Sequence, residues 1–223
     1  MSSAIKILGI GGGIGVAIII GIIAYGEMTR PAGSDILERP TEQWAVGNSL
    51  KENTALTYKL SHVDNNYQNI IVTLKFIGKQ DQNWRTSITV EGTTGGKNEQ
   101  ELVMSKSLLP LAPAEPQMQP YLKMIQSSIL WIVDYAIEPK YLAGGAVWGS
   151  ITHGVQKEDL KITAKEPVTT EVGTFNSYLL SYTIQDKESR IWIVKDMPLP
   201  VKAEVYDADG KLQFEFELVK ATN

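Results

Sequence analysis

The stretch "VKAEVYDADGKLQFEFELV", residues 201–219, alternates apolar and polar side chains on both sides of the turn sequence "DADG". Such alternation buries one face of each strand and leaves the other in water, which is typical of antiparallel sheet. The Asp-Gly pair supplies the positive φ that a tight turn needs, whereas a calcium loop would also require a closing glutamate. We therefore predict a β-hairpin, with apolar positions Val201, Ala203, Val205, Leu212, Phe214, Phe216 and Leu218.

The same period of two recurs along most of the chain beyond residue 43. It is clear in Ile70–Phe76, Trp84–Val90 and Tyr178–Ile184. Further strands are expected at Leu56–His62, Glu101–Lys106, Val147–His153, Leu160–Ala164 and Arg190–Lys195. The fold class predicted from this pattern is mainly β (α+β), with an antiparallel half-barrel or curved sheet.

One segment breaks the alternation. Between Tyr121 and Pro139 the apolar side chains follow helical spacing, and the proline ends the helix. Gln126, Ser127 and Asp134 make a second membrane span unfavourable. We expect this helix to pack on the concave face of the sheet. The alternatives are that it guards an apolar ligand cavity, or docks on a partner or on the bilayer surface.

The N-terminal stretch "ILGIGGGIGVAIIIGIIAYG" begins at Ile7 and predicts a transmembrane helix. The uncharged run from Ile7 to Tyr25 would span about 28 Å, close to the hydrocarbon thickness of a bilayer. A dinucleotide-binding motif, G-x-G-x-x-G, is excluded because Ile14, Val16 and Ile18 stand where motifs beginning at Gly9, Gly11 and Gly13 would need their third glycine. A signal peptide is the main alternative, but the apolar run is long for one, and Lys6 is the only basic residue before it.

The expected organisation is an uncleaved anchor at residues 1–26, a linker at 27–43 containing Pro31, Gly33 and Pro40, and a domain at 44–223. Lys6 before the span slightly favours a cytoplasmic N-terminus and an extracytoplasmic domain at the cell membrane.

Small residues recur at four-residue spacing along the predicted anchor. In lipid, such residues let helix backbones approach closely, which favours packing against a second copy or against helices of a larger membrane complex. The alternative is that glycine is simply common in membrane helices. The residues are Gly9, Gly13, Ala17 and Gly21, with Gly11 and Gly15 adjoining.

Charge and composition limit the chemistry of the domain. The chain carries 21 basic and 25 acidic residues, a net charge of −4, so it lacks the basic clusters that nucleic acid requires. It has no cysteine, which excludes disulfides and thiolate metal sites. We expect no cofactor.

Candidate catalytic and metal-binding residues are few. His62 with Asp64 two positions on, and Ser150 with His153, match no known nucleophile turn. His62, Asp64 and His153 are weak metal candidates, because a site needs three or four convergent ligands. We expect no enzymatic activity.

The C-terminal fifty residues resemble the half-barrel of the periplasmic lipoprotein carriers LolA and LolB. The resemblance rests on "GTFNSY" at Gly173–Tyr178, "WI" at Trp192, "LPVK" at Leu199 and the final hairpin, in this order. It implies a twisted antiparallel sheet around one helix, with a cavity for an apolar ligand. The cavity residues would be Trp84, Ile88, Ile129, Val133, Tyr178, Phe214 and Phe216.

The chain lacks the lipid-attachment cysteine of such carriers. The predicted anchor also argues against a carrier that diffuses freely. The combination of anchor and β domain is also similar to single-pass exported proteins of ammonia-oxidising archaea. We expect a non-catalytic accessory or structural subunit of a membrane complex. The alternatives are an anchored module that binds lipid or another apolar ligand, and a pilin-like filament subunit.

Overall fold

The computed structural model describes residues 42–63, 67–93 and 95–222. Twelve strands and two short helices lie within these residues. In chain order they are β1 (Gln43–Trp44), β2 (Ala55–His62), β3 (Tyr67–Gln80), β4 (Asn83–Glu91), β5 (Lys97–Met104), α1 (Gln119–Gln126), α2 (Val133–Ala136), β6 (Lys140–Tyr141), β7 (Val147–His153), β8 (Gln156–Thr170), β9 (Gly173–Ile184), β10 (Lys187–Ile193), β11 (Lys202–Tyr206) and β12 (Leu212–Thr222).

Ten of the strands form one curved antiparallel sheet in the order β5-β4-β3-β2-β12-β11-β10-β9-β8-β7. Two meanders, β2 to β5 and β7 to β12, are joined where β12 pairs with β2. The remaining two strands, β1 and β6, pair with each other. The predicted mainly β, antiparallel class is therefore confirmed.

The C-terminal hairpin forms as its alternation predicts. Ala203 of β11 lies opposite Phe216 of β12, and Val205 lies opposite Phe214. The Asp207 carboxylate accepts hydrogen bonds from two backbone amides of the turn, and Gly210 adopts a φ of +73°. The turn interpretation of "DADG" is confirmed.

The inner face of the sheet is a continuous apolar surface, because the strand registers align the apolar positions of neighbouring strands. One row crosses seven strands from β8 to β3 and all its members are buried. In sheet order the row is Ile162, Leu180, Ile191, Ala203, Phe216, Leu60 and Ile70.

The segment expected to form one helix is divided into α1 and α2. The Ser127 and Ser128 hydroxyls both donate to the Met124 carbonyl, at 3.1 and 2.6 Å. Side-chain hydrogen bonds of this kind compete with the helical ladder. The Leu130 amide then bonds the Ile125 carbonyl, five residues back, and the helix gives way to turns. The single-helix prediction is wrong, although its apolar spacing does mark the buried positions.

The predicted anchor lies outside the described residues, as do Gly9, Gly11, Gly13, Gly15, Ala17, Gly21 and nearly all of the linker. No helix within 42–63, 67–93 and 95–222 has the length and apolar character needed to cross a membrane. The anchor therefore stays a prediction of the sequence.

Candidate functional site

The structure places all seven predicted cavity residues in the buried core, spread across the sheet from β4 to β9 and along the helical segment. Each has an exposed fraction of 7% or less, and all belong to one buried hydrophobic cluster that also contains side chains of α1 and α2. The cluster members in question are Trp84, Ile88, Ile129, Val133, Tyr178, Phe214 and Phe216. The inner face of the sheet is thus packed against the protein's own helical segment.

Aromatic contacts show how the floor of this core is built. The rings of Phe214 and Phe216 on β12 lie parallel with centroids 6.3 Å apart, and Tyr58 on β2 meets Phe216 edge to face at 5.6 Å. The Tyr58 hydroxyl donates to the Pro200 carbonyl at 3.1 Å, so its one polar group is satisfied. Burial raises the pKa of Tyr58, which keeps the phenol neutral.

His62 has a structural position at the edge of this core. It is buried at the end of β2, where its ring stacks on Phe214 at 5.9 Å. Its Nε2 lies 3.1 Å from the Ser127 hydroxyl, at the break between the two helices. Asp64, its proposed companion, lies outside the described residues. His62 thus helps to fix the helical segment to the sheet.

The other histidine does not join it. His153 is half-buried at the end of β7, and five strands separate β7 from β2 in the sheet. Ser150 and His153 are three positions apart on one strand, so their side chains point to opposite faces. Within the described ranges, no group of three or more histidine, aspartate or glutamate side chains is placed to hold a metal ion.

A polar cluster holds the start of the described chain to the sheet. The Glu42 carboxylate accepts hydrogen bonds from the Tyr178 hydroxyl and from Lys195 Nζ, the latter at 2.9 Å. Lys165 Nζ donates to the same Tyr178 hydroxyl at 2.9 Å. The hydrogen bond from Tyr178, and after it the one from Lys195, lower the pKa of Glu42 below its ordinary value. The sequence offered no spacing signal for this cluster.

Two tryptophans continue the attachment. Trp44 is fully buried, donates from Nε1 to the Met197 carbonyl at 2.7 Å and stacks on Trp148 of β7 at 5.7 Å. Trp148 in turn donates to the Tyr141 carbonyl at 3.0 Å, and Tyr141 pairs with Gln43. The described chain therefore begins beside the Val147 end of β7.

The described surface carries several open clefts. A cleft of about 390 Å³ lies between the loop Pro110–Ala114 and the exposed side of α1, where Lys123 lines it. A second, of about 300 Å³, borders His62 and Tyr67. Of the seven predicted cavity residues, none lines either of these clefts, whereas Phe216 borders a third, of about 160 Å³, together with Lys59 and Lys202.

The two terminal strands of the ten-stranded sheet differ sharply. β5 carries Lys97, Glu99 and Glu101, and its far end is covered because the Leu111 amide bonds the Val103 carbonyl at 2.9 Å. β7 reads "VWGSITH" and has no charged residue. In the part of the chain that the structure describes, β7 pairs with β8 alone and no other backbone hydrogen bond involves it. We call the side of β7 away from β8 the open edge.

Exposed apolar side chains lie at the two ends of β7, as they do at several other places on the described surface. Val147 on β7 is 53% exposed, and Tyr141, whose carbonyl binds Trp148, is 49% exposed. Val155, in the turn between β7 and β8, is fully exposed. Val147 and Val155 are separated by the length of the strand, so they do not form one continuous apolar patch. Sequence alternation identified β7 as a strand but gave no sign that it would end the sheet.

Comparisons with known proteins give only distant likenesses. No protein-family model and no curated protein matches the chain. A Bacteroides fragilis protein described as exported, with a YmcC-like fold, shares 10% identity and a TM-score of 0.43, over 81% of this chain and 100% of its own.

Two further matches are complexes. One is MucB in complex with MucA(peri), at 12% identity and a TM-score of 0.42 over 78% of this chain. The other is the MucA/MucB complex of Pseudomonas aeruginosa, at 14% identity and a TM-score of 0.41 over 76%. This chain spans about half the length of each matched chain, 51% and 50%. Similarity at this level assigns neither ligand nor partner, and the archaeal resemblance stays a prediction.

Proposed function

We propose that the domain is a non-catalytic protein-interaction module, tethered outside the cytoplasm by the predicted anchor, that serves as an accessory subunit of a membrane complex. The observation that carries this proposal is the contrast between a filled interior and an open edge. The inner face, where a carrier would hold its ligand, is packed with the chain's own Ile129 and Val133. Among the described residues, the backbone groups available to another molecule lie instead along β7, which pairs with β8 alone.

The anchor and the domain contribute separately to this role. Helix packing through Gly9, Gly13, Ala17 and Gly21 would join the chain to a membrane partner. The domain would then add a second contact at high effective concentration, because the fifteen predicted linker residues before Glu42 hold it within a few tens of ångströms of the bilayer.

A second candidate, binding of an apolar ligand, is favoured by one observation. The helical segment over Phe214 is interrupted at Ser127 and Ser128, and an interrupted segment can move more readily than a continuous helix. If it swung away, it would expose the aromatic floor of the sheet. This candidate requires displacement of residues that are fully buried in the core.

Native mass spectrometry of the full chain, extracted from its membrane in mild detergent, tests the two candidates. The interaction module predicts a larger assembly that Gly13→Leu with Ala17→Leu weakens. The ligand candidate predicts a monomer with the added mass of lipid. A lipid-free monomer would contradict both, and an assembly unchanged by the two leucines would contradict packing through the anchor.

A further inference from the structure

We infer that Lys165, Tyr178 and Lys195 form a binding site for a carboxylate group. Glu42 of the same chain is the built-in occupant of this site, and an acidic side chain of a partner protein displaces it on assembly. The inference rests on the proposed function and names the chemistry by which the domain would recognise its partner.

The three donors of this site belong to the rigid part of the fold. Lys165 on β8 and Tyr178 on β9 are directly paired, Tyr178 also pairs with Ile193 at the end of β10, and Lys195 follows two residues later. Tyr178 is only 7% exposed. Its hydroxyl accepts a hydrogen bond from Lys165 and donates its one proton to the Glu42 carboxylate. The sheet therefore holds the donors in place whether or not a carboxylate is present.

Two positive charges converge on the one carboxylate. The pKa of Lys165 is raised chiefly by its hydrogen bond with Tyr178, and the pKa of Lys195 chiefly by its hydrogen bond with Glu42. Asp196 attracts Lys195 but forms no ion pair with it within the described ranges. Removing the Glu42 carboxylate therefore leaves two ammonium groups and a hydroxyl proton aimed at one place, which is an arrangement that binds carboxylates.

The Glu42 side chain can leave without unfolding the segment that carries it. Trp44 holds that segment through its burial and its hydrogen bond to the Met197 carbonyl, and the Glu42 carbonyl accepts a hydrogen bond from the Leu142 amide. The Glu42 side chain is 39% exposed and that of Lys195 is 49% exposed. An ion pair so open to water contributes little net stability. Rotation of one side chain therefore opens the site.

Effective concentration decides which carboxylate can replace Glu42. A carboxylate on the same chain competes at an effective concentration that a dilute free acid does not match. An acidic side chain on a partner that the anchor already holds is intramolecular within the assembly, so it competes on comparable terms. Glu42 would thus exclude free acids and yield to a bound partner.

Acetate binding to the full chain in detergent tests the site itself. Glu42→Ala empties the site, so acetate, balanced with chloride at fixed ionic strength, should raise the Tm of this variant by about 2–4 °C once its concentration exceeds the Kd several-fold. The unsubstituted chain, and Glu42→Ala combined with Lys195→Ala, should show no such rise. Glu42→Gln, which removes the charge and keeps the size, should respond in the same direction as Glu42→Ala.

Glu188 provides the matched control. Its ion pair with Arg190 measures 2.8 Å, and the side chains are 34% and 48% exposed, close to the values for Glu42 and Lys195. Arg190 is also attracted by Glu204 and Glu166, so it stays compensated when Glu188 is removed. Glu188→Ala should therefore gain no response to acetate.

Native mass spectrometry of the assembly distinguishes a binding site from a structural ion pair. Glu42→Ala and Lys195→Ala remove the same ion pair from its two sides, so a purely structural pair would give both variants the same change. Displacement by a partner predicts opposite changes. Glu42→Ala should raise the assembled fraction by removing the competitor, and Lys195→Ala should lower it by removing a donor. Circular dichroism checks that both variants fold.

Four results would overturn the inference. They are equal acetate shifts in Glu42→Ala and the unsubstituted chain, an acetate shift in Glu188→Ala, a larger shift of Glu42→Ala with inorganic phosphate than with acetate, and assembly changes of the same sign in the Glu42 and Lys195 variants. If the unsubstituted chain forms no assembly, the proposed function fails and the partner assignment fails with it. The acetate response of Glu42→Ala still decides in that case whether the site exists.

Discussion

Replacing Ile129 with alanine tests whether the core between the inner face of the sheet and the helical segment is densely packed. Ile129 is fully buried between α1 and α2, whereas Ile137, on the same segment, is 46% exposed. Removing a buried isoleucine from a packed core costs about 2–5 kcal/mol, through lost burial and the cavity that remains. Removing a half-exposed one typically changes stability by about 0.5 kcal/mol or less.

The assay is urea unfolding of the compact unit Pro40–Asn223, followed by tryptophan fluorescence. We expect Ile129→Ala to lower the unfolding free energy by about 2–5 kcal/mol, which corresponds to a fall in Tm of about 4–20 °C for a domain of this size. Ile137→Ala is the matched control and should unfold close to the unsubstituted protein.

A small change in unfolding free energy would contradict dense packing around Ile129. If Ile129→Ala cost less than about 1 kcal/mol, the side chain would line space that can relax, rather than a dense core. Recovery of bound lipid with this variant, and not with Ile137→Ala, would favour the apolar-ligand candidate over the interaction module.

Three further predictions concern individual contacts. Below pH 4.5, the ordinary pKa of Glu42, the domain should lose stability with falling pH faster than the Glu42→Gln variant does. A carboxylate whose pKa is depressed in the folded state stabilises the fold at a pH above its unfolded-state pKa, and this stabilisation is lost as the pH falls through its folded-state pKa. Urea midpoints measured for both proteins between about pH 7 and pH 3 test this. Gly149→Ala should lower the unfolding free energy by about 1–3 kcal/mol, because the added Cβ would overlap the Tyr135 ring. The loss should be much smaller in a Tyr135→Ala background, and a double-mutant cycle that shows no coupling would contradict the contact. Tyr58→Phe should cost about 1–3 kcal/mol by leaving the buried Pro200 carbonyl unpaired, whereas a neutral effect in thermal unfolding would show that water replaces the hydroxyl.

The strands were predictable because their signal is local. Alternation at Val205 and Phe214 requires only that one face be buried and the other wet, and Asp-Gly at the turn needs only its own backbone geometry. Strand ends were less accurate: β8 extends from Gln156 to Thr170, well beyond the predicted Leu160–Ala164. Polar residues dominate its extension, so hydropathy alone did not reveal it.

The helical segment shows a different limit. Apolar spacing identified Ile129 and Val133 as buried, but the break at Ser127 depends on a choice between competing hydrogen bonds to the Met124 carbonyl. A serine is compatible with a helix interior or with a turn, and the packing of His62 beside Ser127 accompanies the turn. Periodicity carries no information about such a competition.

The sequence by itself determined the antiparallel β class, the hairpin at Asp207–Gly210, the identity of the core residues and the prediction of an anchor. All of these follow from hydropathy and backbone preferences within short windows. Only the tertiary structure decided the strand order, which brings β12 beside β2 and leaves β7 at one end of the sheet. It also joined Glu42 to Tyr178 across 136 positions. The physical reason is that strand pairing and side-chain networks depend on non-local contacts, and an edge becomes a binding surface only when no other strand of the chain covers it.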